Sequence, residues 1–214
     1  MKLRPFEIAT LVLVLVSFVV GLYFYPQLPA TVATHWNAAG QVNGYMTRFW
    51  GTFFEPLISL ACLALLVIVP RIDPKKENIK QFQTTYDMVV FSILAFLFYV
   101  YALSLAWNLG QPINFMQWII PAFAVLFFII GRLLAEAKPN WTIGIRTPWT
   151  LSNDKVWYKT HAQASVLYQV AAVISLLGIF MPNYGIWFLL VPILGVSLWS
   201  VIYSYFVYQQ VTQH

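Results

Sequence analysis

The sequence predicts an all-α fold: a polytopic membrane helix bundle of about six transmembrane helices, with both termini cytoplasmic. Three observations lead there. The 214-residue chain is 60% hydrophobic and only 9% charged, against the roughly 25% charged residues of a soluble domain. Six segments are each long and apolar enough for a bilayer, which asks for about 20 apolar residues rising about 1.5 Å each. The basic residues then fall almost entirely on one side of those spans.

The first segment covers about Phe6–Tyr25 and closes on Tyr23, Phe24 and Tyr25, an aromatic belt suited to the headgroup region. Its basic start and the small residues from Ala30 to Ala33 resemble a secretory leader. The apolar run exceeds a signal peptide's core, so a retained helix is expected. The second, Thr52–Val69, holds Cys62, and a single cysteine excludes an intramolecular disulfide. The third, Tyr86–Trp107, carries Asp87 near its inner end. The fourth, Phe115–Leu134, ends beside Arg132 and Glu136, whose spacing of four allows them to pair. Ala162–Phe180 and Ile186–Tyr208 complete the set.

Orientation follows from charge. Lys2 and Arg4, then Arg71, Lys75, Lys76 and Lys80, then Arg132, Lys138, Arg146, Lys155 and Lys159 lie on one side, and Arg48 alone on the other. The larger group marks the cytoplasm. The net charge of +5 is therefore a topology signal, and no basic helix or soluble domain is left to bind nucleic acid directly. The chain reads as a single integral membrane domain, 1–214, with an outer loop at about 26–50 and a cytoplasmic loop at about 136–161. Function is expected in those loops or among the helices.

The outer loop is turn-rich. Pro26 and Pro29 stop the first helix, while Asn37-Ala-Ala-Gly40 and Asn43-Gly44 are steps that favour turns. His35, Asn37 and Arg48 form a candidate recognition surface; equally, the loop could simply plug the outer ends of the helices. One histidine without nearby Cys, Asp or Glu offers too few ligands for a metal. Glu55, just before Pro56, is an ionisable residue in a membrane segment and so a candidate site residue. Its expected place is the first turn of the second helix, where a carboxylate suits the helix dipole and Arg48 could partner it.

The cytoplasmic loop, Asn140–His161, is the densest polar and aromatic stretch. Gly144 permits a tight backbone, and Thr147 before Pro148 is biased to extended geometry. Ser152 is expected to cap the next helix, with Asp154 in its first turn. That helix should run through Trp157 and His161, four apart on one face, into the fifth span. Arg146, among Trp141, Trp149 and Trp157, suits cation–π packing or the grip of a phosphate or carboxylate; it equally suits an anchor on anionic lipid headgroups. Asn140-Trp-Thr142 is formally a glycosylation sequon, but it faces the cytoplasm. Ser152, Asp154 and His161 are the residue types of a triad, yet their place at one helix start serves that helix better, and no second motif supports a nucleophile. No catalytic residue, metal or cofactor is assigned. No ionisable residue is expected near the bilayer midplane, which disfavours proton-driven transport.

Together the two loops resemble a known family. Gly144-Ile-Arg146-Thr147-Pro148-Trp149-Thr-Leu151, followed by Asn153, Trp157 and Thr160-His161, resembles the signature of the SdpI family. The outer loop, with Pro29, His35, Asn37, Gly40 and Gly44, resembles the domain of unknown function at that family's N-terminus. The resemblance implies a multi-pass protein of the cell membrane, its lipid bilayer the first partner, that protects its producer from a secreted, membrane-active peptide toxin. It also implies that some relatives hold a transcriptional repressor at the membrane. His35, Asn37, Gly40, Arg48 and Glu55 would face the toxin or ligand. Asn140, Gly144, Arg146, Thr147, Pro148, Trp149, Asn153, Trp157 and His161 would form the cytoplasmic motif. A small-molecule or lipid transporter, with Glu55, Arg132 and Arg146 along its path, is the alternative.

Overall fold

A computed structural model describes residues 4–181 and 184–213; Lys2, used above for orientation, lies outside the described residues. The chain forms α1 (Pro5–Phe24), strands β1 (Thr31–Trp36) and β2 (Val42–Thr47), α2 (Arg48–Ile72), the short α3 (Lys76–Lys80), α4 (Gln83–Asn108), α5 (Phe115–Glu136), the short α6 (Pro148–Ser152), α7 (Asp154–Ser175) and α8 (Gly185–Thr212). A 3-10 segment, Leu176–Phe180, prolongs α7. All six expected spans are helices of membrane-crossing length and apolarity. Leu15, Leu22, Leu65, Val125 and Leu198 are among the large apolar side chains exposed on them, as a lipid solvent permits.

α4 is the centre of the first half, packing on α1 and α2; α5, α7 and α8 form the second half, joined through α4–α5. Within the first half, α1 and α2 are locked to α4 in different ways. Between α1 and α4, Arg4 Nε lies 2.5 Å from Asp87 Oδ2, and Gln83 Nε2 donates to the same carboxylate at 2.8 Å. Between α2 and α4 the lock follows from proline chemistry. Pro56 and Pro70 stand inside α2 and lack the N–H that would bond the carbonyls of Thr52 and Leu66. Those are the carbonyls that α4 supplies: Tyr101 Oη donates to Thr52 O at 2.9 Å, and Tyr86 Oη to Leu66 O at 2.5 Å. In hydrocarbon a backbone carbonyl left unpaired costs several kcal/mol, so two tyrosines offset what two prolines remove.

Three expectations need correction. The outer segment is a β-hairpin and not a string of turns: β1 and β2 pair antiparallel, Thr31 opposite Thr47 and His35 opposite Gly44. A 3-10 turn, Tyr25–Gln27, precedes the strands, and Asn37–Gln41 turns between them, with Gly40 at φ +75°. Asn43-Gly44 lies within β2, where glycine serves close approach: a Cβ on Gly44 would sit 2.8 Å from that of His35. Second, α2 starts at Arg48, so Glu55 and Pro56 lie about two turns inside it and not in its first turn. Third, Arg132 is exposed and makes no ion pair among the described residues, because Glu136 instead accepts a hydrogen bond from Thr85 Oγ1 on α4.

Candidate functional site

The signature residues gather at opposite ends of the bundle. Asn140–His161 stands at the end that also holds Arg4, Arg71 and the α2–α4 connection; the hairpin covers the other.

At the first end the loop between α5 and α7 is folded around one asparagine. Asn140 is 1% exposed. Its Nδ2 donates to the carbonyls of Lys138 and Ile143 at 2.8 and 2.9 Å. Its Oδ1 accepts from the N–H groups of Thr142 and Ile143 at 2.9 and 2.6 Å. Asp73, from the α2–α3 connection, clamps the same loop, accepting from Trp141 N and Thr142 Oγ1, both at 2.9 Å. Asn78 adds a donation to Pro139 O at 2.7 Å. Neither Asp73 nor Asn78 was singled out by sequence. The one available signal was an acidic residue directly before Pro74 in a mostly basic connection.

The downstream half is built on Trp157 and His161. As their spacing predicts, the rings stack, with centroids 4.0 Å apart. Trp157 Nε1 donates to Ala137 O at 2.9 Å. His161 Nε2 accepts from Ile145 N at 3.0 Å, which leaves the ring proton on Nδ1, 2.9 Å from Trp157 O. Both imidazole nitrogens are thus spent on backbone, and Ser152 and Asp154 are not their partners; the triad residues do not assemble. Gly144, at φ +113°, makes this approach possible, since a Cβ there would overlap His161 Nε2.

Thr147 is extended (φ −98°, ψ 163°) and caps α6, which opens on Pro148. Its hydroxyl also meets Ser204 of α8 at 2.9 Å, and Trp149 packs edge-on against Tyr205 at 5.2 Å. The cap of α7 is Asn153, not Ser152: its Oδ1 accepts from Lys155 N and Val156 N, while Ser152 Oγ turns back to Trp149 O. Asp154 sits in the first turn as expected. Arg146 is exposed; it donates to Trp141 O at 3.0 Å and stacks on none of the expected tryptophans. The motif is therefore mostly architecture, with one exposed guanidinium and the half-exposed Trp141 presented from it.

At the other end Asn37 and Arg48 also hold shape. Asn37 Oδ1 accepts from Ala39 N and Gln41 N. Arg48 Nε donates to Pro29 O at 3.3 Å, and its guanidinium lies 5.8 Å from the centre of the Tyr25 ring. It does not reach Glu55, whose Oε1 accepts from Ser59 at 2.5 Å. Asn108 of α4 pins β1, accepting from Ala33 N and donating to Ala33 O. His35 is exposed and bonds Asn43 Oδ1 at 2.5 Å. Trp36 is buried, stacked on Phe115 at 4.0 Å. Beneath the hairpin a cavity of about 290 Å³ joins His35 and Trp36 with Glu55, Tyr101, Ser104 and Phe115. Sequence pointed to His35 and Glu55; the α4 and α5 contributors, lacking charge, gave no signal.

A family model described as the SdpI/YfhL protein family matches residues 136–205, which span the folded loop, α7 and most of α8. Another, a domain of unknown function (DUF1648), matches residues 12–60, which span most of α1, the hairpin and the start of α2. The immunity protein SdpI of Bacillus subtilis (strain 168) is 27% identical over 207 residues, covering 95% of this chain and 96% of that protein. No solved structure matches the chain. With both models matched in order along one six-helix chain, this is a multi-pass membrane protein similar to the SdpI/YfhL and DUF1648 families and, along nearly its whole length, to the Bacillus subtilis immunity protein.

Proposed function

We propose that this protein protects the cell that makes it from a membrane-active peptide toxin met at the outer surface, and that its cytoplasmic end holds a transcriptional repressor at the membrane. The carrying observation is similarity to an immunity protein along essentially the whole of both chains, so that neither end of the bundle is missing from the comparison. The two ends suit different tasks. The hairpin side offers a cavity and the exposed His35; the opposite end offers a stiff loop displaying Arg146 and Trp141. The test is survival of a sensitive bacterium expressing the protein during challenge with a sporulation-delaying-type toxin. Protection lost in His35→Ala and Glu55→Gln, with membrane insertion intact, supports the outer-side assignment. Full protection by both variants refutes it.

Glu55 beside a cavity also favours a second reading, transport of a small molecule or lipid. Arg132 and Arg146 are exposed at the end of the bundle opposite the hairpin and do not line the cavity that Glu55 lines. Flux into proteoliposomes that falls on Glu55→Gln would support transport. Flux equal to that of empty vesicles would remove it.

A further inference from the structure

Among the described residues, three buried side-chain polar atoms have no hydrogen-bond partner: Trp36 Nε1, Glu55 Oε2 and Thr160 Oγ1. Two of the three belong to residues that line the same cavity, the one beneath the hairpin. Trp36 is only 8% exposed, and its ring is fixed between Phe115, stacked at 4.0 Å, and Trp107, edge-on at 5.8 Å. Its N–H is therefore held in place without a partner. Ser59 takes up only one oxygen of Glu55. Whether that carboxyl is ionised or protonated, Oε2 remains short of one hydrogen bond, a state that is unfavourable for a buried oxygen. A buried polar atom without a partner asks for an explanation in a native fold, and two around one space point to an occupant.

The chemistry of that occupant follows from the walls. Glu55 is the one acidic side chain there, and no lysine or arginine lines the cavity. It calls for a cationic N–H donor. The Trp36 N–H calls for an acceptor such as a carbonyl. Trp50, Phe54, Tyr101 and Phe115 supply aromatic surface, which favours a cation and an apolar body alike. The volume is at the small end for ligand pockets, enough for one residue and not for a lipid tail.

We propose that the cavity beneath the hairpin binds an ammonium group carried next to a carbonyl on a small apolar body, with Glu55 accepting from the ammonium and Trp36 donating to the carbonyl. An amino-acid amide and the free N-terminus of an apolar peptide share this chemistry. The inference goes beyond the immunity reading and does not depend on it.

The protein in zwitterionic nanodiscs is titrated with leucinamide and with N-acetyl-leucinamide, against empty nanodiscs. Leucinamide binds and its acetylated, uncharged form does not; Glu55→Gln weakens leucinamide by about tenfold or more, the worth of one charge-assisted hydrogen bond. Trp36→Phe, which keeps the ring, weakens it less. A Leu-initiated apolar tripeptide that binds with a free but not an acetylated N-terminus assigns the site to peptide ends; binding of leucinamide alone assigns it to the small amine. Equal binding of the charged and acetylated forms overturns the proposal without any variant, even if Glu55→Gln fails to fold. So does unchanged affinity in a folded Glu55→Gln, or no binding of either probe at millimolar concentration.

Discussion

Replacing Tyr86 by Phe removes a single oxygen, and the fold says what that oxygen is for. Its donation to Leu66 O stands in for the N–H that Pro70 lacks, inside a membrane-facing helix where water is not the alternative partner. Tyr86 is 7% exposed, so the phenyl ring would stay packed and only the hydrogen bond would go. Leaving Leu66 O unpaired should cost about 1–3 kcal/mol. The informative experiment is a double-mutant cycle with Pro70→Ala, which restores a backbone N–H to the same carbonyl. In the Pro70→Ala background, Tyr86→Phe should cost less by about 1 kcal/mol or more, because the carbonyl is then already bonded. Reversible unfolding in mixed micelles, titrated with a denaturing detergent, reads both free energies. An identical cost of Tyr86→Phe in the two backgrounds would refute the substitution of hydroxyl for amide, whatever the size of that cost.

Other expectations concern the two ends. Gly144→Ala should destabilise by about 2–5 kcal/mol, combining positive-φ strain with a displaced His161; Gly110→Ala, at φ +85° with open space around it, should show the strain alone, and equal costs would count against the His161 contact. Asn140→Asp keeps both acceptor bonds but sets oxygen against the carbonyls of Lys138 and Ile143, so a loss of about 2–4 kcal/mol is expected in the same unfolding assay. Arg4→Ala leaves the buried Asp87 with Gln83 alone; the half-exposed arginine limits the loss to about 1–2 kcal/mol, and a neutral result would show the pair is incidental. With Cys62 replaced by Ser, a cysteine in place of Ala38 at the hairpin turn should react in intact cells with a membrane-impermeant maleimide, whereas one in place of Ser152 should react only after lysis. The reverse pattern would invert the topology.

Helix existence was legible because it depends on composition over some twenty residues, and no packing partner can disguise that. The stack of Trp157 on His161 was legible for a similar reason: a spacing of four on a continuous helix fixes the face. What escaped was decided across the chain. The hairpin was read as turns because Asn43-Gly44 is a turn dipeptide locally, whereas its glycine is there to let His35 come close from the opposite strand. Asn153 won the α7 cap over Ser152 because α6 already occupies Ser152, whose hydroxyl bonds Trp149 O. The Arg132–Glu136 pair had the right spacing on α5, but Thr85 on α4 reached the carboxylate first.

Glu55 shows how a boundary error becomes a functional one. Placed in the first turn of α2, it reads as a helix-dipole partner near water, with Arg48 at hand. The helix in fact begins at Arg48, seven residues before Glu55, because Arg48, Phe49 and Trp50 continue straight from β2. Arg48 then turns to Pro29 O and the Tyr25 ring and is lost as a partner. That shift places the carboxylate below the hairpin, with one oxygen satisfied by Ser59 and the other unpartnered within the protein. The hairpin keeps Trp36 over the same space, and Asn108 keeps β1 in place. A structural carboxylate would be expected to have both oxygens engaged, as Asp73 and Asp87 do elsewhere in the chain. The contrast among these three buried or half-buried acids separates the one facing a cavity from the two that hold helices and loops together.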